Sequence, residues 1–261
     1  TEMIGRILKH AVIKPRVIVS VPSGVTEVEE RAVIQAAMEA GARRVYLIEE
    51  PLAAALGAGL DITAPDGHMV VDIGGGTTDI GVLTMNGIAL SASVRTAGME
   101  FDDAIVRYVR KRYALLIGEN TAEDAKLAIG CVMPRPEPLS MRIKGRDLKT
   151  GLPREADLTS EDIMEALKRP ARTITDQVLE VLEQTPPELV ADIARNGIVL
   201  TGGGSRIYGM DRLLCERTEI NCMLADDADS CVAYGCGKSL AWMNHMQEGT
   251  INIARKRLLK E

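Results

Sequence analysis

Aromatic side chains make up only 3% of the 261 residues, with one Trp and one Phe. Val, Ile, Leu, Ala and Met must therefore fill the interior, which suits helices packed on β-sheet. A disulfide pattern is also missing. The five cysteines, Cys131, Cys215, Cys222, Cys231 and Cys236, are odd in number and include no CxxC pair and no nearby histidine. They fit free thiols in a reducing cytoplasm better than a disulfide framework or a zinc site. No apolar run is long enough to span a bilayer, and no signal-peptide pattern is present. The formal net charge of −6 leaves no concentrated basic face, which argues against nucleic-acid binding. The densest cationic stretch, the terminal IARKRLLKE, could touch anionic lipid or simply complement a helix dipole. Short-period repeats and low-complexity segments are absent. What is present is 46% hydrophobic residues, enough for one large domain or two smaller ones. The first residue is Thr1 and not methionine, which leads to the expectation of a piece of a longer chain.

Arg16 to Pro22, RVIVSVP, is a β-branched run that predicts a strand. Thr26 with Glu29 then signals a capping box for a helix running to about Ala40, with Gly41 as its stop. VYLIEE, Val45 to Glu50, predicts the next strand, and Pro51 suits the first turn of the helix that follows. This alternation predicts an α/β architecture. From His68, the runs HMVVDI, TDIGVLTM and GIALSASV predict an antiparallel meander with glycine turns. A helix is expected from about Met99 to Leu116, and Thr121 with Asp124 signals the start of another. Met133 to Asp157, rich in Pro, Gly and charge, predicts loops or short edge strands. Ser160 opens a further helix, and beyond Pro170 the residues Ile174, Val178, Val181 and Leu182 share one face, read as core. After Pro186 and Pro187 come ELVADIARN, the strand GIVLT, the loop GGGSRIYG and a final helix from about Asp229 to Met246.

Three polar or glycine-rich elements stand at predicted strand ends: Glu49-Glu50-Pro51, Asp72 to Thr77 within VVDIGGGTTDIGVL, and Thr201 to Ser205. Consecutive glycines mean that the backbone must turn tightly or approach a ligand closely. A plain hairpin turn and an anion cradle of peptide N–H groups are both open on this stretch alone. In open α/β sheets, strand ends converging on a cleft bind ligands. Two glycine loops could then serve a nucleotide while Asp72 and Glu50 manage metal and water, with a hard cation such as Mg²⁺ on Asp72 directly or through water. A decoy is set aside. Gly235-Cys236-Gly237-Lys238-Ser239 ends as a Walker A loop does, but Val232 stands where that loop requires glycine, and the preceding text is helical. CVAYGCG reads instead as a helix packed closely through small residues.

In the order IEEPLAAALGAGL, VVDIGGGTTDIGVL, TAEDAK and GIVLTGGGS, the chain resembles the actin, sugar-kinase and heat-shock-chaperone ATPase superfamily, and within it the bacterial actin MreB family. The resemblance extends across VIVSVPSGVTEVEERAV, KGRDLKTGLP and TPPELVADIARNGIVLTGGG, so it covers essentially the whole chain. It implies an α/β, actin-like two-lobed ATPase fold, with ribonuclease-H-like sheets, helices on both faces and a mainly helical inserted subdomain. It assigns residues 1–68 to part of the first lobe core, 69–98 and 186–238 to the second lobe core, 99–185 to the inserted subdomain and 239–261 to a return toward the first lobe. ATP and Mg²⁺ are the implied cofactors. Glu50 resembles the residue that orients the attacking water, and Asp72 the one near the metal. Gly74, Gly75, Gly76, Thr77 and Thr78 resemble the second phosphate-binding hairpin, and Gly202, Gly203 and Gly204 the adenosine loop. Glu123 and Lys126 match the pair that reaches the ribose and base. From spacing alone, those two explain themselves as well by a surface ion pair.

The resemblance further implies a filament-forming homopolymer in the cytoplasm, at the inner face of the cell membrane, with slow ATP hydrolysis timing the polymer. Its implied role is to organise cell-wall synthesis and rod shape with membrane-anchored morphogenesis partners. One departure is plain. The family begins with a further strand-turn-strand of Asp-Leu-Gly-Thr type, and nothing before Arg16 matches it, so an N-terminal truncation, missing membrane-contacting parts and weak ATP binding by this chain alone are expected. Two alternatives are a chaperone-type ATPase, expected to continue into a substrate-binding domain, and a small-molecule kinase, which needs a base and substrate pocket that the sequence does not display.

Overall fold

Two β-branched runs form the first strands, β1 (Arg16–Val21) and β2 (Arg44–Glu49), which pair in parallel in a computed structural model that describes residues 14–240. Between them runs α1 (Glu27–Glu39), and its expected capping box is made: Glu29 N donates to Thr26 Oγ1 at 3.3 Å, and Thr26 N to Glu29 Oε2 at 2.8 Å. Gly41, at φ 112°, releases the chain from the helix end. α2 (Glu50–Gly57) follows β2 without a loop. Glu50, expected as the last strand residue, is thus the first helical one, because the ring of Pro51 presets a helical φ in the first turn. Val33, Ile34 and Ala37 of α1 pack on Val17, Val19, Val45 and Leu47 on one face of the pair. Ile18 and Ile48 meet α2 on the other.

The meander forms as expected: β3 (His68–Ile73), β4 (Thr78–Thr84) and β5 (Gly87–Val94) pair antiparallel. The second turn is not a glycine turn. Met85 and Asn86 occupy it at φ 50° and 60°, the positive pair that a tight hairpin requires. α3 (Gly98–Tyr113) ends earlier than expected, because Ala114 is left-handed at φ 49° and Leu115–Leu116 form a short strand, β6. α4 (Glu119–Ile129) starts at Gly118 and not at Thr121, so that Ala122, Ala125 and Ile129 form its buried stripe. The Met133 to Asp157 region holds full strands. β7 (Ser140–Asp147) and β8 (Pro153–Thr159) form a hairpin against β6, anchored by the buried Ile143 and Leu158. α5 (Ser160–Gln184) is one helix of 25 residues, capped by Thr159 with Asp162. Pro170 lies inside it, because Ile163 and Leu167 before and Ile174, Val178 and Val181 after enter the same core and hold both halves in line.

α6 (Pro187–Asn196), β9 (Ile198–Thr201), a 3₁₀ turn (Gly203–Arg206), α7 (Met210–Thr218), β10 (Cys222–Leu224), a second 3₁₀ turn (Ala228–Ser230) and α8 (Cys231–Ser239) complete the described chain. β9 and β10 run parallel to β3, giving the order β10-β9-β3-β4-β5. Alternation divides this sheet. Met69, Val71, Ile73, Ile80 and Val82 enter the core with α3 and α5, while Val70, Leu83 and Val199 face α2. Expectations for IARKRLLKE and for the final helix beyond Leu240 lie outside the described residues.

Candidate functional site

The alternation that sends Val70 toward α2 sends Asp72 to the same face. Asp79 pairs directly opposite it, so two carboxylates stand side by side beneath the start of α2. The helix approaches closely there: a Cβ on Gly81 would lie 2.5 Å from the Pro51 ring, so the glycine in β4 makes the room that Pro51 occupies. Glu50, one residue earlier, joins the pair. Asp72 and Asp79 are buried. Thr201 Oγ1 donates to Asp72 Oδ1 at 2.7 Å, and Ser23 N donates to Asp79 Oδ1 at 2.8 Å. Asp79 Oδ2 is buried with no hydrogen-bond partner among the described residues. Burial, followed by the charges of Asp79 and Asp72, pushes Glu50 up to about 8, and its protonated form can donate to Asp79. Burial also pushes Asp72 up to about 6, against the hydrogen bond from Thr201 and with the charge of Asp79. Three carboxyl groups in one dry place must take up protons or a cation to stay there.

Beside this cluster lies a cavity of about 630 Å³ that brings together Gly74, Gly75, Gly98, Glu123, Lys126, Gly203 and Gly204. The β3–β4 turn is closed by Gly74 N donating to Thr77 O at 3.0 Å, and its carbonyls are drawn to the N-terminus of α3, where Gly98 N and Met99 N donate to Gly74 O and Gly75 O at 3.0 and 2.8 Å. The N–H groups of Gly75 and Gly76 find no acceptor among the described residues. Neither glycine is demanded by a positive φ, and a Cβ on Gly75 would meet nothing within 4 Å. Gly203 is likewise open and exposed. The other glycines of that loop differ. Gly202, at φ 82°, and Gly204 press on Ile73, where a Cβ would come within 2.3 and 2.6 Å of its atoms.

Thr77 is half-buried at the turn, and Thr78 is buried with its hydroxyl donating to Thr96 O at 2.7 Å. Lys126 lines the cavity, but its partner is not Glu123. Its Nζ lies 2.7 Å from Asp102 Oδ2 and 3.1 Å from Gly98 O, while Glu123 stays exposed on the cavity wall. Burial raises Asp102, and the Lys126 ammonium opposes that shift. Sequence reasoning missed Asp79 and Asp102. Asp79 carried a signal, since folding DIGGGTTD as a tight hairpin sets it opposite Asp72; Asp102 carried none. The GKS decoy lies on α8, where Lys238 Nζ donates to Leu56 O at 2.7 Å and caps α2. Among the described residues no group of three or more His, Cys, Asp or Glu could hold a metal ion by itself, and no helix is long and apolar enough to cross a membrane.

A family model described as MreB/Mbl protein matches residues 1–248. The chain is 51% identical over 226 residues to the cell shape-determining protein MreB of Escherichia coli, an overlap of 87% of this chain and 65% of that protein. Among solved structures, it is similar to MreB5 of Spiroplasma citri bound to ADP, with a TM-score of 0.89, 41% identity and coverage of 93% of this chain and 74% of that one. It shares the fold of the MamK double helical filament, with a TM-score of 0.76, 23% identity and coverage of 94% of this chain and 75% of that one.

Proposed function

The chain belongs to the MreB/Mbl family, and from that premise we propose that it functions as an ATP-binding, filament-forming actin that organises cell-wall synthesis and rod shape. The observation that carries the nucleotide reading is the pair of glycines that neither conformation nor packing requires, Gly75 and Gly203, facing one cavity, with the N–H of Gly75, and of Gly76 next to it in the turn, finding no acceptor among the described residues. Bare backbone with unspent donors suits a polyphosphate. In this reading Gly74, Gly75, Gly76 and Thr77 hold phosphates, Thr78 anchors the hairpin, and Gly202 and Gly204 seat the loop that lets Gly203 meet the nucleoside. Glu123 and Lys126 flank the ribose and base.

A divalent cation suits the carboxylates: Asp79 Oδ2 is buried without a donor, and Asp72 lies beside it. Mg²⁺ is commonly held by one or two carboxylates with phosphate and water oxygens, and when bound it neutralises phosphate charge. Glu50, pinned by Pro51, orients the water whose oxygen bonds to the γ-phosphorus as the bond to the ADP oxygen breaks, a reaction carried by positioning and charge neutralisation. By the same reading, residues up to 68 belong to the first lobe, 69–98 and 186–238 to the second, and 99–185 to the subdomain inserted in it, with 239–261 returning toward the first. Self-association in the cytoplasm, at the inner membrane face and with membrane-anchored morphogenesis proteins, completes the proposal.

The test is sedimentation of the complete gene product with ATP and Mg²⁺, alongside phosphate release. Nucleotide-dependent pelleting with slow release is expected. A protein that binds ATP, stays in the supernatant and phosphorylates a small sugar would instead be a kinase.

A further inference from the structure

The cations that line the nucleotide cavity differ in how their charge is used. Lys126 is paired with Asp102 and Arg206 with Asp229, at 2.7 and 2.9 Å. Arg135 also lines the cavity, yet among the described residues it has no carboxylate partner. Its Nη2 donates to Gly130 O at 2.9 Å, its guanidinium carbon sits 4.2 Å from the centre of the Tyr208 ring, and the thiol of Cys131 lies beside it. Its Nε is buried and donates to nothing among the described residues. Arg212 lies 4.6 Å from the centre of the same ring. A planar cation is thus fixed in orientation at a cavity wall with no carboxylate among the described residues to neutralise it.

Its place along the cavity decides what it can touch. From the glycine hairpin the hydrogen bonds lead through Gly98, whose N donates to Gly74 O, to Lys126 on Gly98 O. Gly130 is four residues beyond Lys126, about 6 Å further along the helix direction, and Arg135 is tied to Gly130. Arg135 therefore stands beyond the phosphate end, next to Tyr208 and the Gly203 turn. Guanidinium planes stack on aromatic faces.

Resting on the nucleotide reading above, we propose that Arg135 is a specificity-determining residue that contacts the nucleobase of a purine nucleotide, stacking the plane of its guanidinium on the base. A purine offers a larger face than a pyrimidine. Tyr208 holds the cation in place, and Gly130 sets its reach.

Calorimetric titration of the complete gene product, with Mg²⁺ present, compares ATP, CTP and inorganic tripolyphosphate on the parent protein, Arg135→Ala and Arg135→Gln. Arg135→Ala should weaken ATP binding by about 3–30-fold, the scale of one cation stack. Tripolyphosphate affinity should stay unchanged, and the preference for ATP over CTP should shrink. Arg135→Gln keeps a planar amide without the charge and should fall between. Thermal melting without ligand checks the fold; if the alanine variant melts early, the glutamine variant carries the comparison. Unchanged ATP affinity in both variants, or parallel loss of ATP and tripolyphosphate, would overturn the assignment. Failure of the parent protein to bind any of the three ligands would instead remove the nucleotide reading, and this inference with it.

Discussion

At the scale of single residues, Glu50 separates two uses of a carboxylate at a helix start. A negative charge there favours the helix dipole by about 0.3–1 kcal/mol, whichever residue supplies it. A water-orienting group has a different signature. Glu50→Ala in the complete gene product should slow phosphate release by about 10²–10⁴, with nucleotide affinity and pelleting retained. Glu49→Ala, one residue earlier at the strand end, should leave the rate nearly unchanged. Equal small effects at both positions would return Glu50 to the dipole. The same group also sets a pH dependence. Glu50 rises from an ordinary 4.5 to about 8, and Asp72 from 3.8 to about 6, chiefly through burial. A carboxyl raised in the folded state binds protons that the unfolded chain has released. Its contribution is therefore complete below the ordinary value and is lost as pH climbs through the folded one. Without divalent cation, the melting temperature should fall between about pH 4.5 and 8, and Glu50→Gln should flatten the upper half of that fall. A slope unaltered in the glutamine variant would place the responsible group elsewhere.

At the scale of elements, glycines of the same sequence type have opposite consequences. α2 and α8 cross where Gly57 meets Cys231 O and Gly235 meets Ala53 O; a Cβ would lie 1.8 and 1.7 Å from those oxygens. Gly235→Ala should therefore cost at least about 1–3 kcal/mol, because backbone on both sides must separate. Gly75→Ala should scarcely change the melting temperature yet weaken ATP binding, since its added methyl enters only the cavity. Denaturant titration and calorimetry on the two variants distinguish packing from function at each loop. The elements themselves were unevenly legible. The capping box at Thr26 and Glu29, the strand runs and the meander are local signals, and they formed where expected. α5 passed through Pro170 because a continuous apolar stripe on both sides outweighed one lost hydrogen bond, and that sum is visible only in the packed core. β7 and β8 were obscured by charge, because they expose one face and bury little beyond Ile143 and Leu158. In the site, the glycine loops and Asp72 were legible from their strand-end positions. The pairing of Lys126 with Asp102, 24 residues apart, depends on how two helices pack and has no local signature.

At the scale of the whole molecule, the actin-like fold joins its parts through the same carboxylates proposed to serve the cation. Ser23, in the loop after β1, gives its N–H to Asp79 on the five-stranded sheet, and Glu50 reaches the same residue from α2. The segment before residue 60 is thus held to the sheet at a point where like charges oppose one another. In the proposed reading such a joint takes up a proton or a cation, which would tie the set of the two parts to what the cleft contains. Asp79→Asn tests this, because the amide oxygen can still accept from Ser23 N while one negative charge is removed. Without ligand at pH 8, the variant should be stabilised by about 1 kcal/mol after allowing for screening at the half-buried Glu50, a rise of about 2–4 °C in melting temperature. With Mg²⁺ and ATP the order should reverse: the parent protein should gain several degrees and the variant little, since the cation has lost a carboxylate ligand. Melting curves of both proteins, with and without Mg²⁺ and ATP, give the four values needed. An Asn variant that melts lower than the parent without ligand, or that gains as much from Mg²⁺ and ATP, would mean that Asp79 only accepts the Ser23 hydrogen bond and that the joint does not respond to the cation.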